Sequence, residues 1–271
     1  MIRLFRYLFI IILTLACFNI LLVPLMEPGM LYEPNRNVAN TPQQIGLDYE
    51  DLYIKTSDGK KINAWYIPKK GAKQTFLVFH GNASNIGEQM DWIRLYHAIG
   101  VNVFIFDYHG YGKSEGEPAE ASLYLDGLAA YTYIIQEKKL LPSQIILVGN
   151  SLGGAVAIDL ASKEWVGGLV VRSTFTSLAD SARHINPFYR WPILWLSSKF
   201  DSLSKMARVK CPTVIFHSIE DERFPFEMAA ALYKKAPYPK RLVLLEKGEH
   251  DYFYPDSQYV NGLRWAMRPI D

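Results

Sequence analysis

What this sequence has little of narrows it first. Its two cysteines among 271 residues, Cys17 and Cys211, cannot frame a disulfide-stapled fold and show no zinc-ligand spacing. They leave the redox compartment open. Charge of neither sign is in excess, since 29 Lys and Arg face 27 Asp and Glu for a formal net charge of +2. With no long basic stripe, the electrostatic footprint of a nucleic-acid binder is missing, and no nucleic-acid partner is expected. There is no internal repeat and no low-complexity tract. A chain that is 49% hydrophobic and 21% charged is able to bury a large core, which excludes disorder. Its length suits one α/β catalytic domain.

Charge is absent altogether from Tyr7 to Met26. A helix of this length, rising about 1.5 Å per residue, covers the hydrocarbon core of a bilayer. Arg3 and Arg6 precede it, so the tendency of basic residues to stay cytoplasmic puts the rest of the chain on the non-cytoplasmic side, periplasmic, extracellular or lumenal. Residues 1–26 are therefore expected to form a retained, single-pass transmembrane signal anchor. The rival is a cleaved signal peptide. Its apolar region is usually shorter, whereas here Ile20-Leu21-Leu22-Val23 prolongs the run beyond the only cleavage-like tripeptide, Leu15-Ala16-Cys17. Residues 27–46, rich in Pro, Asn and Gln, read as a surface linker, and 47–271 as the catalytic domain.

Within that domain, Leu52–Thr56 and Ile62–Ile67 flank an Asp-Gly turn signal and predict an antiparallel hairpin. Short apolar runs come next at Thr75–Phe79, Val101–Phe106, Ile145–Val148, Leu169–Val171, Thr213–Phe216 and Leu242–Leu245, alternating with longer stretches of helical character. Such runs suit a mostly parallel central sheet with helices on both faces. In sheets of this kind, functional residues collect just past the C-terminal ends of the strands.

One such end reads Gly149-Asn150-Ser151-Leu152-Gly153-Gly154 between an apolar strand and an Ala-rich helix. This is G-x-S-x-G in the setting that makes it a nucleophile elbow, with Ser151 held up on a tight turn and the new helix offering its N-terminal N–H groups to a developing oxyanion. The strand Thr75–Phe79 ends in His80-Gly81-Asn82-Ala83, which assigns the backbone N–H of Asn82 and of Leu152 as oxyanion-hole donors, with Ala83 the alternative to Asn82. His80, just before the turn, is expected to bond loop backbone. In this arrangement the order along the chain is Ser, acid, His, so the base is one of His184, His217 and His250. His184 falls in an insertion and His217 inside an apolar strand, which leaves His250 in the loop after the last strand. The loop Ser218-Ile219-Glu220-Asp221-Glu222 supplies the acid, with Asp221 preferred over Glu220, Glu222 and Asp201.

With these segments, and with Phe106-Asp107-Tyr108-His109-Gly110-Tyr111-Gly112-Lys113-Ser114-Glu115-Gly116 and Ser173-Thr174-Phe175-Thr176-Ser177, the chain resembles the α/β-hydrolase superfamily and, within it, the Bem46-like serine hydrolases. The resemblance covers nearly everything after about Leu47. It implies the α/β-hydrolase fold, a Ser151, Asp221 and His250 triad, and an N-terminal membrane segment of the kind found in this group. Two departures stand out: His109 replaces the Arg of the usual Asp-Tyr-Arg-Gly, and the acid loop lacks the more usual Gly and Val.

The function expected is acyl transfer to water from an ester or thioester, with no metal and no organic cofactor. The insertion at about 175–200 holds Phe188, Tyr189, Trp191, Pro192, Ile193, Leu194, Trp195 and Phe200. It reads as a lid over an acyl pocket, or else as packing against the domain's own core. Lipid-like acyl esters, other small acyl esters and acylated proteins are the substrates this admits, with the membrane as a partner through the N-terminal helix. Peptide, epoxide or carbon–carbon bond hydrolysis on the same fold, and a catalytically silent membrane-tethered interaction protein, remain the alternatives.

Overall fold

A computed structural model of the chain describes residues 2–185, 196–250 and 255–268, without the side chains of residues 2–4, 8, 15–16 and 18–21. Along the chain lie helix α1 (Ile2–Leu31), strands β1 (Glu33–Pro34), β2 (Glu50–Lys55), β3 (Lys61–Ile67), β4 (Thr75–Phe79) and β5 (Ala83–Ser84), then α2 (Met90–Ala98), β6 (Asn102–Phe106) and α3 (Glu120–Gln136). After these come β7 (Ile145–Asn150), α4 (Leu152–Ala161), β8 (Gly168–Arg172), α5 (Leu178–Ile185), α6 (Ser202–Met206), β9 (Thr213–Ser218), α7 (Phe226–Lys235), β10 (Lys240–Leu245) and α8 (Ser257–Ala266).

Eight strands form one sheet in the order β10-β9-β8-β7-β4-β6-β3-β2. Pairing is parallel from β10 through β6, while β3 runs antiparallel to both β6 and β2. The hairpin read from the sequence is the β2–β3 pair, with Ile54 opposite Ile62. The strands are apolar on both faces because each face is covered. Alternation sends Leu77, Phe79, Phe104, Phe106 and Leu147 into one apolar cluster and Phe76, Val78, Val103, Ile105 and Ile146 into another. The first cluster packs under α3, α4 and α7, through Leu123, Val156 and Leu232 among others, and the second under α2 and α8, through Ile93, Tyr96 and Leu263. Fully burying each such side chain contributes about 1.5–3 kcal/mol before entropy is counted.

The segment expected as a surface linker begins as helix, since α1 runs on to Leu31, five residues past Met26, and after Leu31 it is held to the domain. Strand β1 pairs with β5, Asn85 Nδ2 donates to the carbonyls of Asn35 and Asn37 at 3.0 Å each, and Arg36 Nη1 donates to Ser114 O at 2.9 Å. Backbone and polar side-chain groups carry these contacts, so a composition poor in periodic apolar residues gives no sign of them. Phe200, at the end of the insertion that was read as a lid or else as core packing, is fully buried in edge contact with Phe175 and Tyr124, the second of those alternatives. The other seven lid residues lie within 186–195, outside the described residues.

Helix α1 is 30 residues long. Among the described residues, no helix is long and apolar enough to cross a membrane.

His109 is buried between two carboxylates. Its Nδ1 lies 2.5 Å from Asp126 Oδ1, its Nε2 lies 3.2 Å from Asp58 Oδ2, and its backbone N–H donates to Asp126 Oδ2 at 2.8 Å. Burial alone would lower its pKa, but bonds to and charge from Asp126, with help from Asp58, outweigh burial and raise it above the ordinary imidazole value of 6.5. A raised folded-state pKa contributes stability that is present below about pH 6.5 and is lost as pH climbs through the higher folded value. Denaturant unfolding of wild type and His109→Gln should therefore show a stability gap that is widest below about pH 6.5 and narrows as the pH rises above it. A gap that does not vary with pH would refute this.

The elbow generates a second prediction. A Cβ on Gly153 would stand 2.2 Å from Phe79 O and 2.3 Å from His80 O, and one on Gly149 would stand 2.5 Å from Gly153 O. These obstacles are backbone of the central sheet and its first helical turn, which cannot rotate away. Gly153→Ala should cost about 3 kcal/mol, measured as a lower denaturant midpoint at unchanged slope.

Candidate active site

Ser151 sits between the last residue of β7 and the first of α4 with φ 52° and ψ −118°. That backbone region costs a non-glycine residue about 1–3 kcal/mol. The surroundings tie it there. Ser151 N donates to Arg172 O of β8 at 2.9 Å, and Thr174 Oγ1 donates to Ser151 O at 2.8 Å. The side chain is thereby lifted above the C-terminal edge of the sheet, where α4 presents its unpaired N–H groups.

His250 Nε2 lies 2.9 Å from Ser151 Oγ, and its Nδ1 lies 3.0 and 2.9 Å from Asp221 Oδ1 and Oδ2. The imidazole and the carboxylate are both buried. The three residues expected from the sequence are thus brought together in one line of hydrogen bonds. Asp221 is ionised there. Burial pushes its pKa up, but the hydrogen bond and charge of His250, with the Phe224 N–H at 2.9 Å, outweigh burial and hold the carboxyl below its ordinary value. An ionised acceptor at Nδ1 fixes the tautomer that leaves Nε2 free to accept a proton from Ser151.

The reach of His250 has to be explained. Strand β10 lies three strands from β7, roughly 14 Å at the usual spacing, so the loop after Leu245 must fold back over β9 and β8. Two acids of the Asp221 loop hold it in place. Glu222 Oε2 accepts from His250 N at 2.9 Å and Glu220 Oε2 accepts from Gly248 N at 3.1 Å. The bond to His250 N is the main cause that lowers the Glu222 pKa. From the sequence these two residues were only rivals for the acid role; their use as loop clamps has no local signal, because it depends on a loop 28 residues further on. The ring of Phe224 adds an edge-on contact to the imidazole, with centroids 4.9 Å apart.

Two further histidines have other partners. His80 Nδ1 lies 2.9 Å from Gly81 O, as expected for a loop-bonding residue, and His80 stacks against Tyr108. His217 Nε2 lies 3.1 Å from Phe224 O, and burial lowers its pKa. Asp201 caps α6 through a bond from Ser204 N at 3.1 Å.

Gly81 brings the loop after β4 against the elbow: a Cβ there would stand 3.8 Å from Ser151 Cβ. Among the described residues, no acceptor takes the backbone N–H of Asn82 or of Leu152. Both residues line the cavity that also holds Ser151 and His250. Its volume is about 560 Å³, within the range of small-molecule sites. The walls are mostly apolar: Leu178 and Ile185 of α5, Phe175, Phe224, Leu196, and Val23, Met26, Met30 and Leu31 of α1. The helix expected only to anchor the chain is part of this wall. Among the described residues no three His, Cys, Asp or Glu side chains gather as a metal site would require.

Residues 70–205 match the family model described as serine aminopeptidase, S33. The chain is 31% identical over 231 residues to the α/β hydrolase domain-containing protein WAV2 of Arabidopsis thaliana, covering 79% of this chain and 73% of that protein. It is 32% identical over 210 residues to protein bem46 of Schizosaccharomyces pombe, covering 74% and 70%. Among solved structures, an esterase of Pyrococcus furiosus superposes with a TM-score of 0.69 at 22% identity, covering 81% of this chain and 90% of that one. The matched region contains β4, the elbow and the strands between. The chain belongs to the α/β-hydrolase superfamily, in its Bem46-like group.

Proposed function

We propose that this protein is a serine hydrolase that cleaves an acyl ester or thioester through an acyl-enzyme. The observation that carries the proposal is the single imidazole that meets Ser151 Oγ on one side and the Asp221 carboxylate on the other, at 2.9 Å each. As Ser151 Oγ bonds to the carbonyl carbon, its proton passes to His250 Nε2, and Asp221 stabilises the imidazolium. The carbonyl oxygen becomes an oxyanion, for which the N–H groups of Asn82 and Leu152 are the donors. Collapse breaks the bond to the leaving alcohol or thiol, which takes the proton from His250. A water then gives its proton to His250 and attacks the acyl-enzyme, releasing the acid and restoring Ser151. The mostly apolar cavity suits an acyl group better than a charged peptide, and the ester reading is in keeping with the solved neighbour's being an esterase.

A fluorophosphonate probe should label wild type and leave Ser151→Ala unlabelled; an unlabelled wild type would instead favour a silent scaffold. Asp221→Asn should lower kcat/KM on p-nitrophenyl esters by about 10³–10⁴-fold with little change in KM, since the wrong imidazole tautomer is then held. Hydrolysis of p-nitroanilides or epoxides faster than of esters would move the reaction to another class.

The proposal extends to place. Arg3 and Arg6 before the uncharged run support residues 1–26 as a single-pass anchor with the catalytic domain on the non-cytoplasmic side. In bacterial expression, the chain should stay in the membrane pellet after carbonate washing, and an alkaline phosphatase fused to its C-terminus should be active. Release by carbonate, or an inactive fusion, would count against this topology.

A further inference from the structure

The wall that α1 gives to the cavity has a regular origin. Val23, Met26, Glu27, Met30 and Leu31 all line it, and they recur at the spacing that puts residues on one face of a helix. On the same cavity, Leu178, Ser181, Ala182 and Ile185 of α5 recur at the same spacing, and Ser151, Leu152, Asn82 and His250 line it too. A cavity of about 560 Å³ that joins two mostly aliphatic helix faces to the reactive groups has room for an acyl chain whose carbonyl lies at Ser151. The two methionines are flexible enough to follow such a chain.

Helix α1 is fixed at this position by polar contacts that a simple tether would not need. Glu27 is buried, and its carboxylate accepts from Ser197 N at 2.6 Å, Ser197 Oγ at 2.9 Å and Ser198 N at 2.8 Å. Glu120 takes the next two amides, Lys199 N at 2.6 Å and Phe200 N at 2.8 Å. Four consecutive N–H groups at the end of the insertion are thus held by carboxylates, one of them from α1. The helix also ends on the oxyanion loop: Asn82 Nδ2 donates to Leu31 O at 3.1 Å, and Glu33 N donates to Asn82 O at 3.0 Å.

We propose that the Val23, Met26, Met30 and Leu31 face of α1 is the acyl-selecting wall of the active site, and that it selects esters of long unbranched aliphatic acids. This rests on the serine hydrolase reading and names the acyl group that the site takes. Each methylene of an acyl chain that is buried along α1 favours binding by about fourfold.

The test uses the full-length protein in detergent micelles and the ratio of kcat/KM for p-nitrophenyl laurate to that for p-nitrophenyl acetate, which cancels changes in the amount of folded enzyme. Val23→Trp and Met30→Trp should each lower the ratio about tenfold or more. Met30→Ala, which widens the cavity without crowding it, should shift the preferred chain to a longer one, and serves where a Trp variant does not fold. Leu25→Trp, exposed on another face of the same helix, should leave the ratio as in wild type. Ratios unaffected by the Val23 and Met30 variants, or lowered equally by Leu25→Trp, would overturn the assignment while wild-type labelling at Ser151 still upheld the hydrolase. A wild type neither labelled nor active on any ester would overturn both.

Discussion

The site depends on one strained residue. Ser151 is held at a positive φ that its side chain disfavours, and the fold removes every way of relaxing it. Its N–H is bound by β8 and its carbonyl by Thr174, while the glycines on either side let α4 start so close to β4 that a single added carbon would meet backbone oxygen. Central position in the sheet makes this possible. Strand β7 has a parallel neighbour on each side, so the backbone that must resist the strain belongs to the most constrained part of the molecule. An elbow of the same sequence on an edge strand would have only one such neighbour and could relax.

The imidazole poses the opposite problem. His250 comes from the edge of the sheet and must be carried inward on a loop, where no strand pairing fixes it. Carboxylates hold it instead. Asp221 binds the ring, Glu222 the backbone of the same residue and Glu220 the backbone two residues earlier, so three acids in a stretch of three are each used. Their mutual repulsion is relieved by donors: Asp221 alone accepts from Arg223 N, Phe224 N and the imidazole. Charge in this loop is therefore a structural device for bringing one titratable group across the sheet edge.

This division explains which parts of the molecule can be read from its sequence. The parallel strands are legible because both their faces are covered, which leaves continuous apolar runs, and the elbow is legible because its glycines are a steric requirement of the turn itself. Order along the chain points to Ser151 and His250, but for the acid it leaves Glu220, Glu222 and Asp201 beside Asp221. What escapes such a reading are the polar and backbone contacts between distant segments that no motif marks. The docking of 27–46 through Asn35, Arg36 and Asn37, the clamps at Glu220 and Glu222, and the Glu27 bond to Ser197 and Ser198 are all of this kind. Phe200 shows why two readings of the insertion stayed open. An aromatic residue at the end of an apolar insertion has the same composition whether it covers a pocket or fills a core, and only its neighbours Phe175 and Tyr124 decide.

The same long-range contacts bear on how the N-terminal segment relates to the rest. Residues that end α1 bond to the loop whose Asn82 is the proposed oxyanion donor, and Tyr111, from the segment after β6, donates to the carbonyl of that same Asn82 at 2.6 Å. A displacement of α1 therefore pulls on the peptide unit next to the one that would face the reacting carbonyl, as well as on the wall along which an acyl chain would lie. Rigid placement of oxyanion donors is where such sites gain most of their rate, because the donors then need no reorganisation when charge develops. In this chain that rigidity is shared between the sheet, through Leu152 at the elbow, and a helix that reaches the site from outside the sheet. A site built in this way couples its chemistry to whatever holds the helix.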